Sequence, residues 1–147
     1  MSPKRIILAV VVLGVLGFVL IQFVPRYART NPEVTYQINW SSPETEALMR
    51  RACYDCHSNE TVWPWYSYVA PVSWLVVGDT NEGRAKLNFS TGRGELEARE
   101  LIEQIDRGSM PPGNYLITHP DANLTAEEKA LLVQGIQATS FGRRQGD

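Results

Sequence analysis

Sixteen of the nineteen residues at positions 6–24 are apolar, the exceptions being Gly14, Gly17 and Gln22. Nineteen helical residues reach about 28 Å, close to the roughly 30 Å hydrocarbon thickness of a bilayer. Every face of such a helix is apolar, so the pattern predicts a membrane span and not an amphipathic core helix. Beyond residue 40 the apolar positions are spaced out. Ser42-Pro43-Glu44-Thr45-Glu46 reads as a helix start, with a serine cap, proline at the first helical position and acids at the positive end of the dipole. Leu48, Ala52 and Cys56 fall on one stripe, so this helix is expected to run into the cysteine pair. Residues 59–71 break regularity. Residues 72–87 read as a second helix weakened by Gly78 and Gly83. Leu96, Leu101, Ile102 and Ile105 predict a helix over 94–106, with Gly108 just past its end. Residues 108–113 form a loop. Thr125-x-x-Glu128 is a capping box that opens a last helix with the stripe Leu131, Leu132 and Ile136, and Gly135 within it points to a close helix crossing. The expected fold class is all-α.

Charge divides the chain at the same place. The net charge is -2, but residues 1–29 carry Lys4, Arg5, Arg26 and Arg29 with no acid, leaving 10 basic and 16 acidic side chains for residues 30–147. An acidic soluble part argues against nucleic-acid binding, which needs a basic face. The apolar content of 44% falls to about 38% over residues 25–147, a modest single domain. Two cysteines exclude a disulfide-dense scaffold.

Lys4 and Arg5 ahead of the apolar run suit a secretory signal or a signal anchor. The run exceeds the roughly 7–15 residues of a signal-peptide core, and Pro25-Arg26-Tyr27-Ala28-Arg29 offers no small-x-small cleavage site, so an uncleaved anchor is expected. The basic residues flanking the span nearly balance, and the positive-inside rule leaves its orientation open.

Both cysteines and one of the two histidines lie in Cys53-Tyr54-Asp55-Cys56-His57. The pattern C-x-x-C-H marks covalent attachment of a c-type haem. Two residues between the thiols let both sulfurs reach the vinyl groups of one porphyrin, and the adjacent imidazole can stand under the iron. In bacteria this attachment takes place on the outer side of the membrane, which orients the chain. The same residues admit a structural disulfide, a thioredoxin-like redox pair or a zinc site. The first two leave His57 unexplained, and the third lacks ligands, since only His57 and His119 accompany the thiols. Met110, held in a loop before Pro111-Pro112, is the expected sixth iron ligand, with His119 as the alternative. Trp63, Trp65, Tyr66, Tyr68 and Trp74 are expected either to wall a porphyrin edge or to form helical core. Arg84 is a candidate donor to haem propionates.

The C-x-x-C-H helix, the Met110-Pro111-Pro112 loop and the closing Leu124-Thr125-x-x-Glu128 helix resemble a class I cytochrome c domain. More closely, Cys53 to Asn59, Trp63-Pro64-Trp65-Tyr66-Ser67, Ala70-Pro71-Val72-Ser73-Trp74, Glu82-Gly83-Arg84, Leu87-Asn88-Phe89-Ser90, Met110-Pro111-Pro112 and His119-Pro120 resemble the bacterial membrane-anchored haem-binding domain family. Members often carry a Trp where this chain has Gly92. The resemblance implies a cytochrome c-like helical domain around one covalently attached haem c per chain, with Cys53 and Cys56 as attachment residues and His57 as proximal ligand.

The resulting division is a cytoplasmic n-region at 1–5, a transmembrane anchor at 6–24, a linker at 25–40, the haem domain at 41–140 and a flexible tail at 141–147. The expected role is single-electron transfer to and from redox proteins on the periplasmic face of the inner membrane, and not enzymatic turnover. The alternative is a haem-based ligand sensor or peroxidase-like enzyme with an open or displaceable sixth position.

Overall fold

A computed structural model describes residues 2–24, 27–94 and 97–141. Among these residues there are seven α-helices: α1 (Pro3–Ile21), α2 (Pro43–Ala52), α3 (Tyr54–His57), α4 (Val72–Lys86), α5 (Ala98–Asp106), α6 (Gly113–Thr118) and α7 (Ala126–Ala138). Two 3-10 turns, Trp65–Tyr68 and Pro120–Ala122, and one isolated bridge between Asn88 and Arg93 complete the regular structure. The all-α expectation holds. The chain divides into two compact units, Met1–Arg29 with Trp63–Asp79, and Thr30–Val62 with Thr80–Asp147. Helix α4 begins in the first and ends in the second.

In the first unit α1 has a mean hydropathy of 2.5 and buries none of its residues. Gln22 caps its end, donating from Nε2 to Phe18 O at 2.9 Å and to Ala70 O at 3.1 Å, while its Oε1 accepts from Ala70 N at 2.9 Å. Ser67, Ala70, Ser73 and Val77 are buried within this unit.

In the second unit Leu48, Met49, Ala52, Tyr54, Phe89, Ile105, Leu124, Leu132 and Ile136 form the core. Ser42 caps α2 by accepting from Thr45 N at 3.2 Å. Thr125 and Glu128 make the expected capping box on α7, and Glu128 also pairs with Arg51 of α2. The α2–α7 crossing is close at Gly135. A Cβ there would overlap Thr45, colliding with Oγ1 and lying 2.7 Å from Cγ2 and 2.8 Å from Cβ. The Gly135 carbonyl accepts from the hydroxyls of Ser41 at 2.7 Å and Thr139 at 2.8 Å. Gly135→Ala is therefore expected to destabilise the fold by about 1–3 kcal/mol despite its better helix propensity. Thermal unfolding of the full-length chain would show this as a lowered midpoint, partly restored by adding Thr45→Ala, which removes the two nearest atoms.

Several local expectations are corrected. Helix α2 stops at Ala52; Cys53, at φ -128° and ψ -33°, breaks it before α3 begins. The third predicted helix starts at Ala98, because Gly92 (φ 65°) and Gly94 (φ 90°) carry a tight reversal closed by the Asn88–Arg93 bridge. Leu96 lies outside the described residues. Helix α6 begins at Gly113, the last residue of the expected loop, and continues where no element was predicted. Leu131 is 58% exposed whereas its neighbour Leu132 is fully buried, since adjacent positions point about 100° apart on a helix.

Residues read as a linker belong in part to the second unit. Thr35 N and Tyr36 N both donate to Ser90 O at 2.9 Å, Asn31 Nδ2 donates to Thr61 O at 2.9 Å, and Trp40 packs edge-on against Phe89. Phe141, placed in the tail, packs edge-on against Trp40; the remaining tail residues 142–147 lie outside the described residues. Gly92 faces the Tyr36 ring, 3.4 Å from where a Cβ would stand. With a positive φ and that ring alongside, the position favours glycine.

Candidate haem site

The Cys-x-x-Cys-His segment is held by a clasp of backbone and polar side chains from residues 83–90. Phe89 N donates to His57 O at 2.8 Å, and Asn59 N donates to Ser90 Oγ at 3.0 Å. Asn88 Nδ2 donates to Asn59 Oδ1 at 2.8 Å. Gly83 lets α4 approach the motif backbone: a Cβ there would collide with Cys56 O and stand 3.1 Å from its carbonyl carbon. The next residue, Arg84, is buried and donates to Ser58 O at 2.6 Å, Thr30 O at 2.7 Å, Asn31 Oδ1 at 2.9 Å and Thr61 Oγ1 at 2.7 Å. These four bonds give it a structural role beside the motif. The guanidinium joins residues 30–31, 58 and 61, which a solvated surface arginine does not do.

His57 is oriented by this clasp. Its Nδ1 lies 3.1 Å from Leu87 O. A carbonyl oxygen can only accept, so Nδ1 carries the proton and Nε2 the lone pair, the arrangement that a metal-ligating imidazole requires. Burial pushes the imidazole pKa below its ordinary value, although the Leu87 and Gly83 carbonyls act in the opposite direction. Both effects of the site's geometry, the proton on Nδ1 and the neutral ring, leave an electron pair on Nε2.

Cys53 and Cys56 are thiols with no disulfide between them. Burial pushes the Cys53 thiol up to about 12, with Cys56 adding to the shift. An attacking cysteine of a thiol oxidoreductase needs the reverse, a depressed pKa. No group of three or more His, Cys, Asp or Glu among the described residues converges as a metal cluster would.

The two residues between the thiols are structural anchors that the motif pattern alone does not reveal. Tyr54 is buried, accepts from Trp40 Nε1 at 3.0 Å and packs on Phe89 with ring centroids 5.3 Å apart. Asp55 Oδ1 accepts from Val62 N at 2.9 Å and Oδ2 from Tyr115 OH at 2.8 Å. Tyr115 belongs to α6, so this bond ties the stretch carrying Met110 and His119 to the motif. Met110 lies at a cis bond to Pro111 and is 37% exposed, its N–H donating to Gln104 O at 3.3 Å. His119 stacks on Tyr115 at 4.0 Å, and its Nδ1 lies 3.1 Å from both Tyr115 O and Thr118 Oγ1. A cleft of about 400 Å³ between residues 34–43 and α2 includes Tyr54 in its lining but none of Cys53, Cys56, His57 or Met110. Trp63, Trp65, Tyr66, Tyr68 and Trp74 all belong to the first unit.

These residues fit a haem: one thiol at a helix break, a second in the short helix that follows, and next to it an imidazole whose Nδ1 proton is already bonded. Comparison with protein families agrees. The model of the haem-binding domain matches residues 16–138, from within α1 to the end of α7. No similar curated protein and no similar solved structure was found. The chain therefore belongs to the haem-binding domain family, and haem is its cofactor.

Proposed function

We propose that the chain is a membrane-anchored, monohaem c-type cytochrome that carries single electrons on the periplasmic side of the bacterial inner membrane. The observation that carries this reading is the Nδ1–H of His57 on Leu87 O, beside two cysteines spaced for thioether attachment. Cys53 and Cys56 would hold the haem covalently, and His57 and Met110 would ligate its iron. Bound there, haem supplies one-electron chemistry by cycling iron between ferrous and ferric states. The residues of the chain orient His57 through Leu87, secure the motif through Arg84 and Asn88, and tie the Met110-bearing stretch to it through Asp55 and Tyr115. Helix α1 anchors the chain and raises its effective concentration near redox partners in the same membrane. The acidic soluble part favours partners with a basic docking face.

The exposure of Met110 supports a second reading, a haem whose sixth ligand gives way to a small molecule, as in a ligand sensor or peroxidase-like enzyme. Absorption spectra of the full-length protein separate the two. For the electron carrier, the ferric protein is low-spin with a weak sulfur-to-iron charge-transfer band that Met110→Ala abolishes and His119→Ala leaves in place. A high-spin ferric spectrum with rapid ligand binding in the unaltered protein would establish the second reading. Loss of low-spin character in His119→Ala alone would transfer the sixth-ligand role to His119.

A further inference from the structure

The segment from Trp63 to Asp79 is not required by any of the interactions that orient His57, yet its composition is unusual. The sixteen residues at 63–78 carry no charge and include three of the four tryptophans of the chain, with Asp79 as the first charged side chain. Much of this apolar surface is open. Trp65 is 77% exposed, Leu75 68%, and Tyr68 and Val72 are exposed as well. Val72 and Leu75 are three positions apart on the first turn of α4, and exposed Asp79 ends their stripe one turn further on. Large apolar side chains exposed together in an uncharged stretch point to an interface.

The segment is docked onto the end of α1. Gln22, the only polar side chain in the apolar run, makes two of its three hydrogen bonds to the N–H and C=O of Ala70. Arg29 Nη1 donates to Ser67 O at 2.9 Å, and its guanidinium lies 4.2 Å from the Tyr68 ring centroid. The Tyr27 ring lies beside Gly78. These contacts join the tryptophan- and tyrosine-bearing segment to the end of α1, and amphipathic aromatic rings settle at the bilayer–water interface. The Ala70 backbone groups are satisfied by a side chain, as they must be where water is scarce. Arg29 supplies positive charge next to the patch, suited to anionic headgroups.

We propose that Trp63–Asp79 is a membrane-interfacial platform, with Trp65, Tyr68, Val72 and Leu75 inserted among the lipid headgroups and upper acyl chains beside the α1 span. The proposal rests on reading α1 as a bilayer anchor and deepens it: the chain would touch the membrane through a second, non-spanning surface.

The test is photolabelling of the full-length haem protein in nanodiscs of zwitterionic and anionic phospholipid doped with a diazirine-bearing phospholipid, read by peptide mass spectrometry. The expected result is lipid adducts on α1 and on the peptide spanning Trp65 to Leu75, with none on α7. The double substitution Trp65→Ser and Leu75→Ser, at exposed positions whose replacement spares the fold, should remove most of the second set and leave the α1 adducts unchanged. Adducts on α1 alone would overturn the platform while sustaining the anchor, and would assign the patch to a protein partner. Absence of adducts on α1 would overturn the anchoring reading, and the platform with it.

Discussion

Replacing Cys53 and Cys56 together by serine is expected to yield a folded chain that gives up all of its haem on denaturation. Haem staining after denaturing electrophoresis, on protein expressed with a c-type maturation system, reads this directly. The unaltered protein should stain, each single variant should stain weakly, and the double variant should not. The structure separates this loss from unfolding. Cys53 sits at a helix break and packs against the core without being one of its fully buried members, and Cys56 lies in a four-residue helix outside it. Serine keeps the shape of each side chain, so helical content by circular dichroism should be preserved while the covalent link disappears. Undiminished staining in the double variant would show that the thiols do not carry the haem.

Gly83→Ala should have the second-largest effect, because the obstacle is backbone. The added methyl would collide with Cys56 O, with the carbonyl carbon at 3.1 Å and Cβ at 3.2 Å, and none of these atoms can rotate away. Relief requires α4 to move off the motif, disturbing the Leu87 carbonyl that orients His57 and the Arg84 contacts to Ser58. We expect a net loss of about 1–3 kcal/mol, after an opposing gain of roughly 1 kcal/mol in helix propensity. The yield of attached haem and the thermal midpoint should fall together. Gly78→Ala in the same helix is the matched control. Its methyl would meet only Tyr27 Cε2, at an ordinary 3.7 Å, so the helix-propensity gain should remain and the midpoint should hold or rise. Equal losses at both positions would refute the close-approach account.

The features legible in the sequence were those whose partners are close along the chain. Ser42 and Thr125 act on backbone three residues away, and Gly135 announced its crossing because glycine inside an otherwise good helix has a cost that needs a reason. The Cys-x-x-Cys-His pattern is equally local. Where the reading went astray, the partner was remote or was backbone. Arg84 gave no sign of its acceptors, three of which lie 23, 26 and 54 positions away. The Leu87 carbonyl that orients His57 has no side-chain signature at all. Helical spacing of Leu48, Ala52 and Cys56 carried the expected helix through Cys53, where the chain breaks instead. Helix α6 starts at Gly113, directly after Pro111-Pro112, and lacks a side-chain cap, so nothing local declared it. Its Tyr115, together with Asp55, is the pair that motif reasoning missed, since the two central positions of the motif read as spacers.

The α2–α7 crossing also orders events in time. Ser41 bonds to Gly135 and Thr139, 94 and 98 positions later, so the second unit cannot complete its core until the final helix has been synthesised. Contacts of such separation are slow to form for entropic reasons. At translation rates of about 5–20 residues per second, the roughly 90 residues after His57 take about 5–20 s to make. During that interval both thiols are already on the chain while the helix that closes over α2 does not yet exist.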